Sequence, residues 1–299
     1  MKLVRFGRNG LEQPGLIDRQ GRVRDLSGVV SQIDASVFSP EGQKRLRRID
    51  PETLPLVRGH PRLGVPWVGI SKFVAIGLNY RDHAAEAGLS IPAEPIVFGK
   101  WTTCINGPDD DVVQPPGSTC LDWEVELGVV IGTRASQVGQ ERALAHVAGY
   151  CTVNDVSERD FQTRRGGQWN KGKGCDTFGP LGPWLVTADE VPDPQNLGLW
   201  LDVNGEPMQR GNTREMIFPV AMVVSYLSCF MTLLPGDVIA TGTPGGVGFA
   251  RQPPVWMVPG DTVEVTIEGV GRIANRVVAE SADVSGWPWN PPVAETATL

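Results

Sequence analysis

The sequence contains no apolar run long enough to cross a membrane and no block of basic residues. A membrane span needs roughly 18 to 20 apolar residues, and nucleic-acid binding usually comes with clustered Lys and Arg. We therefore expect neither a membrane nor a nucleic acid as a partner. The opening residues show no apolar signal-peptide core and no small-residue cleavage site, which favours a cytoplasmic location.

Cysteine and histidine are also scarce. The five cysteines are odd in number and no two form a CxxC pair, so we expect neither a disulfide framework nor a structural zinc site. The chain has only three histidines, which leaves few candidates for a general base: His60, His83 and His146.

Glycine and proline, in contrast, are abundant. The 36 glycines and 25 prolines make up 61 of the 299 residues, and they separate short apolar runs, a pattern that predicts many strands and turns. Strands outnumber helices and few alternate with them one for one, which favours an α+β fold with a mixed sheet. Glycines and prolines between 59 and 66 mark a predicted boundary between a small leading α/β domain, residues 1–68, and a larger domain, residues 69–299.

Several elements are predicted from local patterns. Asn204-Gly205 and Glu268-Gly269 each lie between strand-like runs, as hairpin turns do. Strands are predicted at 73–77, 96–98, 122–131 and 148–153, and helices at 80–87 and 219–230.

Acidic residues recur at every second position from Asp122 to Glu126. On a strand, Asp122, Glu124 and Glu126 would share one face, with Glu124 and Glu126 about 6.5–7 Å apart. A further acid, Asp155, ends the next predicted strand. Converging carboxylates favour Mg²⁺, Mn²⁺ or Ca²⁺ over zinc. The alternatives are a strand with its acidic side in water and, for Asp155, a turn residue.

His83 and Glu86 lie three residues apart on a predicted helix and so share a face. A carboxylate beside an imidazole can orient the ring and raise its basicity, so the two form a candidate dyad for deprotonating water. The alternative is an ordinary pair on the helix surface.

Two glycine-rich loops can bind anions. Lys173, in the loop 167–180, could present its ammonium to an anion or a developing oxyanion; it could equally be a solvated loop lysine. The loop 241–248 could cradle a carboxylate with backbone N–H groups. It lacks the GK[ST] ending of a phosphate-binding P-loop, so nucleotide binding is not indicated.

Taken together, these segments resemble the fumarylacetoacetate hydrolase family. The matching segments follow the family's order over roughly residues 69 to 280: GLNYRDHAAEAG, PIVFGK, DWEVELGVVIG, AGYCTVNDVSERDFQ, GQWNKGKGCDTFGPLGPWLVT, NGEPMQRGNTREMIF, LLPGDVIATGTPGGVG and PGDTVEVTIEGVG. The resemblance implies a β-rich catalytic domain with mixed sheets and a β-roll. It also implies a divalent ion, Mg²⁺ or Mn²⁺, and a homodimer.

The resemblance also implies roles for individual residues. The implied metal ligands are Glu124, Glu126 and Asp155. The implied catalytic residues are the water-activating His83 and Glu86, together with Lys173 and Gln162. The implied substrate contacts are Arg159, Thr243, Gly242 and Lys100.

Members of this family cut or rearrange 2-oxo acids, and the resulting hypothesis is a hydrolase that breaks the C3–C4 bond of a 2,4-dioxo acid and releases pyruvate. The chain looks most similar to the sugar-acid branch, which includes 2,4-didehydro-3-deoxy-rhamnonate hydrolases and proteins labelled ureidoglycolate lyases. Decarboxylation of oxaloacetate and isomerisation of a 2-hydroxymuconate-type diacid are alternatives. A protein of another class, which binds a metal or an organic acid without catalysis, is a further alternative.

Overall fold

The computed structural model describes residues 1–280, so the end of the larger domain predicted over 69–299 lies outside the described residues. The strands in chain order are β1 (Lys2–Phe6), β2 (Gln13–Ile17), β3 (Val23–Asp25), β4 (Leu63–Gly64), β5 (Phe73–Gly77), β6 (Ile96–Lys100), β7 (Ile105–Asn106), β8 (Val112–Gln114), β9 (Leu121–Asp122), β10 (Val125–Ile131), β11 (Val147–Asn154), β12 (Ser157–Glu158), β13 (Gly179–Thr187), β14 (Gly198–Val203), β15 (Glu206–Asn212), β16 (Val238–Ala240), β17 (Thr262–Ile267) and β18 (Gly271–Ala279). The helices are α1 (Ala35–Phe38), α2 (Pro40–Leu46), α3 (Arg81–Glu86), α4 (Gln140–Ala143), α5 (Arg159–Thr163), α6 (Asn170–Lys173) and α7 (Val220–Phe230).

Two mixed sheets form the body of the molecule. The larger has the order β3-β2-β1-β13-β11-β10-β16-β5-β6, with β4 and β7 pairing off this path. Its strands are antiparallel along this order except for the parallel pair β16 and β5. The second sheet has the order β15-β14-β17-β18-β8. The predicted α+β fold with mixed sheets is confirmed.

The centre of the larger sheet is buried on both faces. Every residue of β5, β10, β11 and β16 is buried, as the continuous apolar runs of these segments predict. Among residues 1–280, no helix is both long and apolar enough to traverse a bilayer.

The leading segment, residues 1–68, joins the larger sheet. Strand β1 pairs with β13, with Lys2 opposite Val186 and Leu3 opposite Leu185. Arg62 donates to both Glu12 and Asp110, and therefore bridges the leading segment and the rest of the chain. The division of the chain at residue 68 stays a prediction.

Both predicted hairpins form. Asn204 and Gly205 connect β14 to β15 with φ angles of +53° and +79°, the left-handed pair that a type I′ turn requires. The closing hairpin joins β17 to β18. Helix α7 begins directly after Pro219, a position where the missing proline N–H costs little.

Strand β13 is a central strand that the sequence patterns do not predict. It contains Pro180 and Pro183, and proline lacks the N–H that an interior strand position normally donates. The register between β11 and β13 shifts at Pro183: Tyr150 faces Val186 and Thr152 faces Gly182, so a single residue of β11 opposes residues 183–185 of β13.

Candidate active site

Three carboxylates converge where β10 begins and β11 ends. Glu124 precedes β10, Glu126 lies within it, and Asp155 follows β11; the antiparallel register places Val125 opposite Asn154. The Asp155 N–H donates to the Glu124 carbonyl oxygen over 2.9 Å. One carboxylate oxygen from each of Glu124, Glu126 and Asp155 lies within 4.8 Å of the others, and all three residues are buried. We call these three residues the carboxylate cluster.

Asp122 has a different place from the one its spacing predicts. The expected strand 122–131 is interrupted between β9 and β10, so the simple alternation ends before Glu124. Asp122 instead accepts hydrogen bonds from the backbone N–H groups of Gly248 and Phe249 and from Arg159 Nε, at 2.7, 3.1 and 2.8 Å. It therefore fixes the end of the glycine loop and orients Arg159.

Two cations contact the cluster from α5 and α6. Lys173 Nζ lies 2.6 Å from Glu124 and 2.9 Å from Asp155, and Arg159 Nη2 lies 2.7 Å from Glu124. Burial opposes ionisation of Glu124, but the charges of Lys173 and Arg159 outweigh it and lower the pKa of this carboxyl to about 2. Arg159 also donates to Gln162 Oε1 over 3.0 Å.

Lys100, an expected substrate contact, forms its hydrogen bonds with the protein itself in this structure. Its buried ammonium donates to Asp155 Oδ1 over 2.6 Å and also to the Lys173 carbonyl oxygen. Lys100 ends strand β6 and is not among the residues that line the cavity beside the cluster. Its contact with Asp155 orients that carboxylate, and its role toward a substrate stays a prediction.

Gly242, another expected substrate contact, also has a partner within the protein. Its N–H donates to Glu126 Oε2 over 2.8 Å, so this backbone group is already engaged with the cluster. Its φ is +97°, a conformation that favours glycine. The next residue, Thr243, does line the cavity, and its hydroxyl accepts a hydrogen bond from Gln209 Nε2 over 2.8 Å.

Glu126 is the member of the cluster without a cation. Among residues 1–280, no Lys, Arg or His forms an ion pair with it, and the Gly242 N–H is the only hydrogen-bond donor to its carboxylate. Burial, followed by the charges of Asp155 and Glu124, raises the pKa of Glu126 well above its usual value. An oxygen-only set with a buried, uncompensated carboxylate is a suitable environment for a hard divalent cation.

Helix α3 brings the candidate dyad to the same place. His83 Nδ1 lies 3.7 Å from Glu86 Oε2, too far for a hydrogen bond, and it has no other partner among the described residues. Glu86 accepts from the Gly246 N–H over 2.8 Å. Burial opposes ionisation of Glu86, but His83 and this N–H outweigh it and lower the pKa of the carboxyl.

A cavity of about 490 Å³ opens beside these groups. Its wall includes seven of the predicted site residues: His83, Glu124, Glu126, Arg159, Gln162, Lys173 and Thr243. The Phe249 ring connects two of them, since its centroid lies 6.0 Å from the His83 ring and 4.6 Å from the Arg159 guanidinium. Glu86, Asp155, Gly242 and Lys100 lie outside this wall and contact groups near the site instead.

Gln209 is a site residue that the sequence reasoning does not find. Its side chain accepts from the Val125 N–H over 2.9 Å and donates to Thr243 and to the Pro244 carbonyl oxygen. It therefore joins the start of β10 to the glycine loop. The only available signal is that Gln209 falls within NGEPMQRGNTREMIF, one of the segments that carry the family resemblance.

Comparisons with known proteins identify the family of the chain. Residues 72–278 match the model of the fumarylacetoacetate (FAA) hydrolase C-terminal family. A Burkholderia cenocepacia protein named "Putative hydrolase" is 59% identical over 277 residues, covering 92% of this chain and 98% of that protein.

Two solved structures show the same fold. Fumarylacetoacetate hydrolase from Exiguobacterium antarcticum has a TM-score of 0.83 at 35% identity, and 5-carboxymethyl-2-hydroxymuconate delta-isomerase from Mycobacterium smegmatis has a TM-score of 0.72 at 35% identity. Each comparison covers 94% of this chain and 100% of the other. Enzymes of this kind generally depend on a divalent metal, and the carboxylate cluster fits that requirement. The chain belongs to the fumarylacetoacetate hydrolase family.

Proposed function

We propose that this enzyme hydrolyses the C3–C4 bond of a 2,4-dioxo acid and releases pyruvate and a second carboxylic acid. The observation that carries the proposal is the buried carboxylate cluster, which opens on a cavity that also holds His83. The cluster suits a divalent metal, and His83 with Glu86 suits a reaction that consumes water.

Glu124, Glu126 and Asp155 would hold Mg²⁺ or Mn²⁺. When bound, such an ion acts as a Lewis acid that polarises carbonyl and carboxylate oxygens of a substrate. The charges around the cluster agree with this role. Three cations, Lys100, Lys173 and Arg159, contact the carboxylates of Glu124, Asp155 and Asp122, and Glu126 adds a fourth carboxylate without a cation. One further divalent cation would leave the site positive and suited to an anionic acid.

His83 and Glu86 supply the proton transfer. The Nδ1 side of the His83 ring faces Glu86, so Nε2 is the nitrogen left to take a proton from water. An ionised Glu86 stabilises the imidazolium that results. Water adds to C4, the C3–C4 bond breaks with its electron pair passing to C3, and C3 then gains a proton.

Lys173, Arg159 and Gln162 stabilise the charge that develops on the substrate. Lys173 and Arg159 line the cavity while their other donors hold Glu124 in place. Such preorganised donors stabilise an oxyanion without reorganising during the reaction. Thr243 also faces the cavity and would bind the substrate carboxylate.

Isomerisation of a 2-oxo diacid is a second candidate function. It is favoured by the similarity to the Mycobacterium smegmatis isomerase, since an isomerase of this fold would use the same kind of site. It does not need activated water, so it leaves the pairing of His83 with Glu86 without a purpose.

A substrate panel in ¹⁸O-labelled water tests the proposal. The enzyme would be assayed with Mg²⁺ on a 2,4-dioxo acid, oxaloacetate and a 2-hydroxymuconate-type diacid. Hydrolysis predicts pyruvate in equal amount to the second acid, with ¹⁸O in that acid. Carbon dioxide release, or an isomer without label, would contradict the proposal.

Two finer expectations rest on the sequence resemblance alone and are tested separately from the reaction. The sequence resemblance favours a 2,4-dioxo acid of the deoxy-sugar type, and a substrate with a hydroxylated tail belongs in the panel for that reason. The resemblance also favours a homodimer. Light scattering on the eluting protein would test this, and a mass of 32.3 kDa in solution would indicate a monomer instead.

A further inference from the structure

The cavity beside the carboxylate cluster has an apolar wall beyond its polar groups. That wall includes Phe98, Trp169, Phe249 and Trp256. The rings of Phe98 and Trp169 meet edge to face with centroids 5.4 Å apart. Phe98 also lies under the Lys173 ammonium at 5.4 Å, so the aromatic surface begins directly at the charged site.

Several polar groups on the wall already have partners within the protein. Arg159 binds Asp122, Glu124 and Gln162, and the Thr163 hydroxyl donates to the Arg159 carbonyl oxygen over 2.8 Å. A chain of substrate hydroxyls would have to compete with these partners for hydrogen bonds. Burying hydroxyl groups without hydrogen bonds is unfavourable.

A second carboxylate on the substrate tail would also lack a buried partner. The cations Arg159 and Lys173 on the wall already contact the cluster. The remaining cation on the wall is Arg164, whose side chain is 79% exposed and lies 3.8 Å from Asp160. Within residues 1–280, no further Lys or Arg of the wall therefore offers an enclosed positive charge at a distance from the cluster.

We propose, on the basis of the hydrolase function above, that the group attached to C4 of the substrate is apolar and ring-sized. The 2-oxo acid half would be held by the cluster and its cations, as proposed above. The cavity volume of about 490 Å³ lies within the range of about 300–1,000 Å³ that holds drug-sized ligands, so a ring fits beside that half. The preferred substrate is then an aryl or branched alkyl 2,4-dioxo acid rather than a sugar acid or a diacid.

Binding of uncleavable ligands tests this preference independently of hydrolysis. Calorimetry with Mg²⁺ present would compare 2-oxo acids with the same head and with methyl, phenyl, trihydroxyalkyl or carboxyalkyl tails. We expect the phenyl compound to bind at least tenfold more tightly than the others, a difference typical of an apolar pocket. Equal or tighter binding of the hydroxylated or carboxylated tail would overturn the inference.

The matching 2,4-dioxo acids then separate this inference from the proposed function. Faster hydrolysis of the phenyl compound, by about 10-fold to 100-fold in kcat/KM over the hydroxylated one, supports both. A phenyl preference in binding without any hydrolysis would retain the inference and reject the proposed reaction. Hydrolysis that favours the hydroxylated compound would retain the reaction and reject the inference.

Trp256 provides the variant that tests the wall directly. In Trp256→Ala the ratio of phenyl to methyl affinity should fall about tenfold, and Trp256→Phe should recover most of it. Phe230→Ala is the matched control, because Phe230 is 67% exposed on α7 and lies away from the cavity. An unchanged ratio in Trp256→Ala would contradict the inference.

Discussion

Glu126 is the member of the carboxylate cluster whose ionised form is disfavoured in the metal-free protein. Its ordinary pKa is 4.5, and burial with the nearby charges of Asp155 and Glu124 raises it. The folded state therefore binds more protons than the unfolded state between pH 4.5 and the raised pKa. Within that window the stability of the metal-free protein falls as the pH increases.

Glu126→Gln should therefore stabilise the metal-free protein near neutral pH. The amide keeps an acceptor for the Gly242 N–H but carries no buried charge, and we expect a gain of about 1–3 kcal/mol. Thermal unfolding with a chelator at pH 5 and pH 8 measures this, with the larger gain at pH 8. Glu206→Gln, on the exposed hairpin, is the control. A loss of stability at pH 8 would contradict the assignment.

His83→Ala separates water activation from metal binding. We expect turnover of a 2,4-dioxo acid to fall by about 10²-fold to 10⁴-fold, as for the loss of a general base. The affinity for Mn²⁺ should stay within about twofold, since His83 lies outside the carboxylate cluster. Steady-state kinetics and calorimetry measure the two effects, with the exposed His60→Ala as control. Unaltered turnover would remove His83 from the mechanism.

At the scale of elements, local sequence patterns predict a strand, turn or helix well where residues adjacent in sequence determine its conformation. The Asn204-Gly205 hairpin and helix α7 follow from turn and capping residues. Strand β13 does not, because proline normally argues against an interior strand, and Pro183 lies at a register shift between β13 and β11. A local sequence pattern contains no information about the register that a strand adopts with its neighbour.

The same distinction applies to the site. The convergence of Glu124, Glu126 and Asp155 could be predicted, because the spacing of the acidic residues and the family motifs both indicate it. The contacts of Lys100 and Gly242 could not be predicted, because each depends on a hydrogen-bond partner distant in sequence. Gln209 was missed for the same reason.

The glycine loop 241–248 contacts α3 through the hydrogen bond from the Gly246 N–H to Glu86. Substitution of Gly246 tests the importance of this contact. A Cβ at Gly246 would collide with the Met208 carbonyl oxygen, whereas Gly260 has a similar positive φ and open space. Both alanine variants carry a backbone strain of about 1–3 kcal/mol. Gly246→Ala should lose more stability than Gly260→Ala because of the collision. It should also lower kcat, because relieving the collision moves the backbone N–H that holds Glu86. Chemical denaturation and kinetics compare the two. Equal losses of stability and activity in both variants would contradict this role.

At the scale of the whole molecule, the leading segment is integrated with the rest of the chain. Trp67 Nε1 donates to the Gly236 carbonyl oxygen over 3.0 Å, and Gln43 donates to that of Ala148 over 3.3 Å. Together with the pairing of β1 and β13, these contacts connect residues 1–68 to the rest of the chain at three places.

Deletion of residues 1–68 should therefore prevent the remainder from folding stably. The deletion removes the partner of β13 along Lys2 and Leu3, and an uncovered strand edge promotes aggregation. Circular dichroism and size-exclusion chromatography would show aggregated or poorly folded protein. A monodisperse, cooperatively unfolding fragment would instead indicate that residues 69–299 form an independent domain.

Calorimetric titration of Mn²⁺ tests the metal site most directly. Wild-type enzyme and Glu206→Gln should each bind one ion per chain. Glu126→Gln should bind it at least about 100-fold more weakly, since the loss of a ligand exceeds the 10-fold to 100-fold effect typical of groups that only support one. Unchanged affinity in Glu126→Gln, or no binding to the wild-type enzyme, would contradict a divalent centre held by Glu124, Glu126 and Asp155.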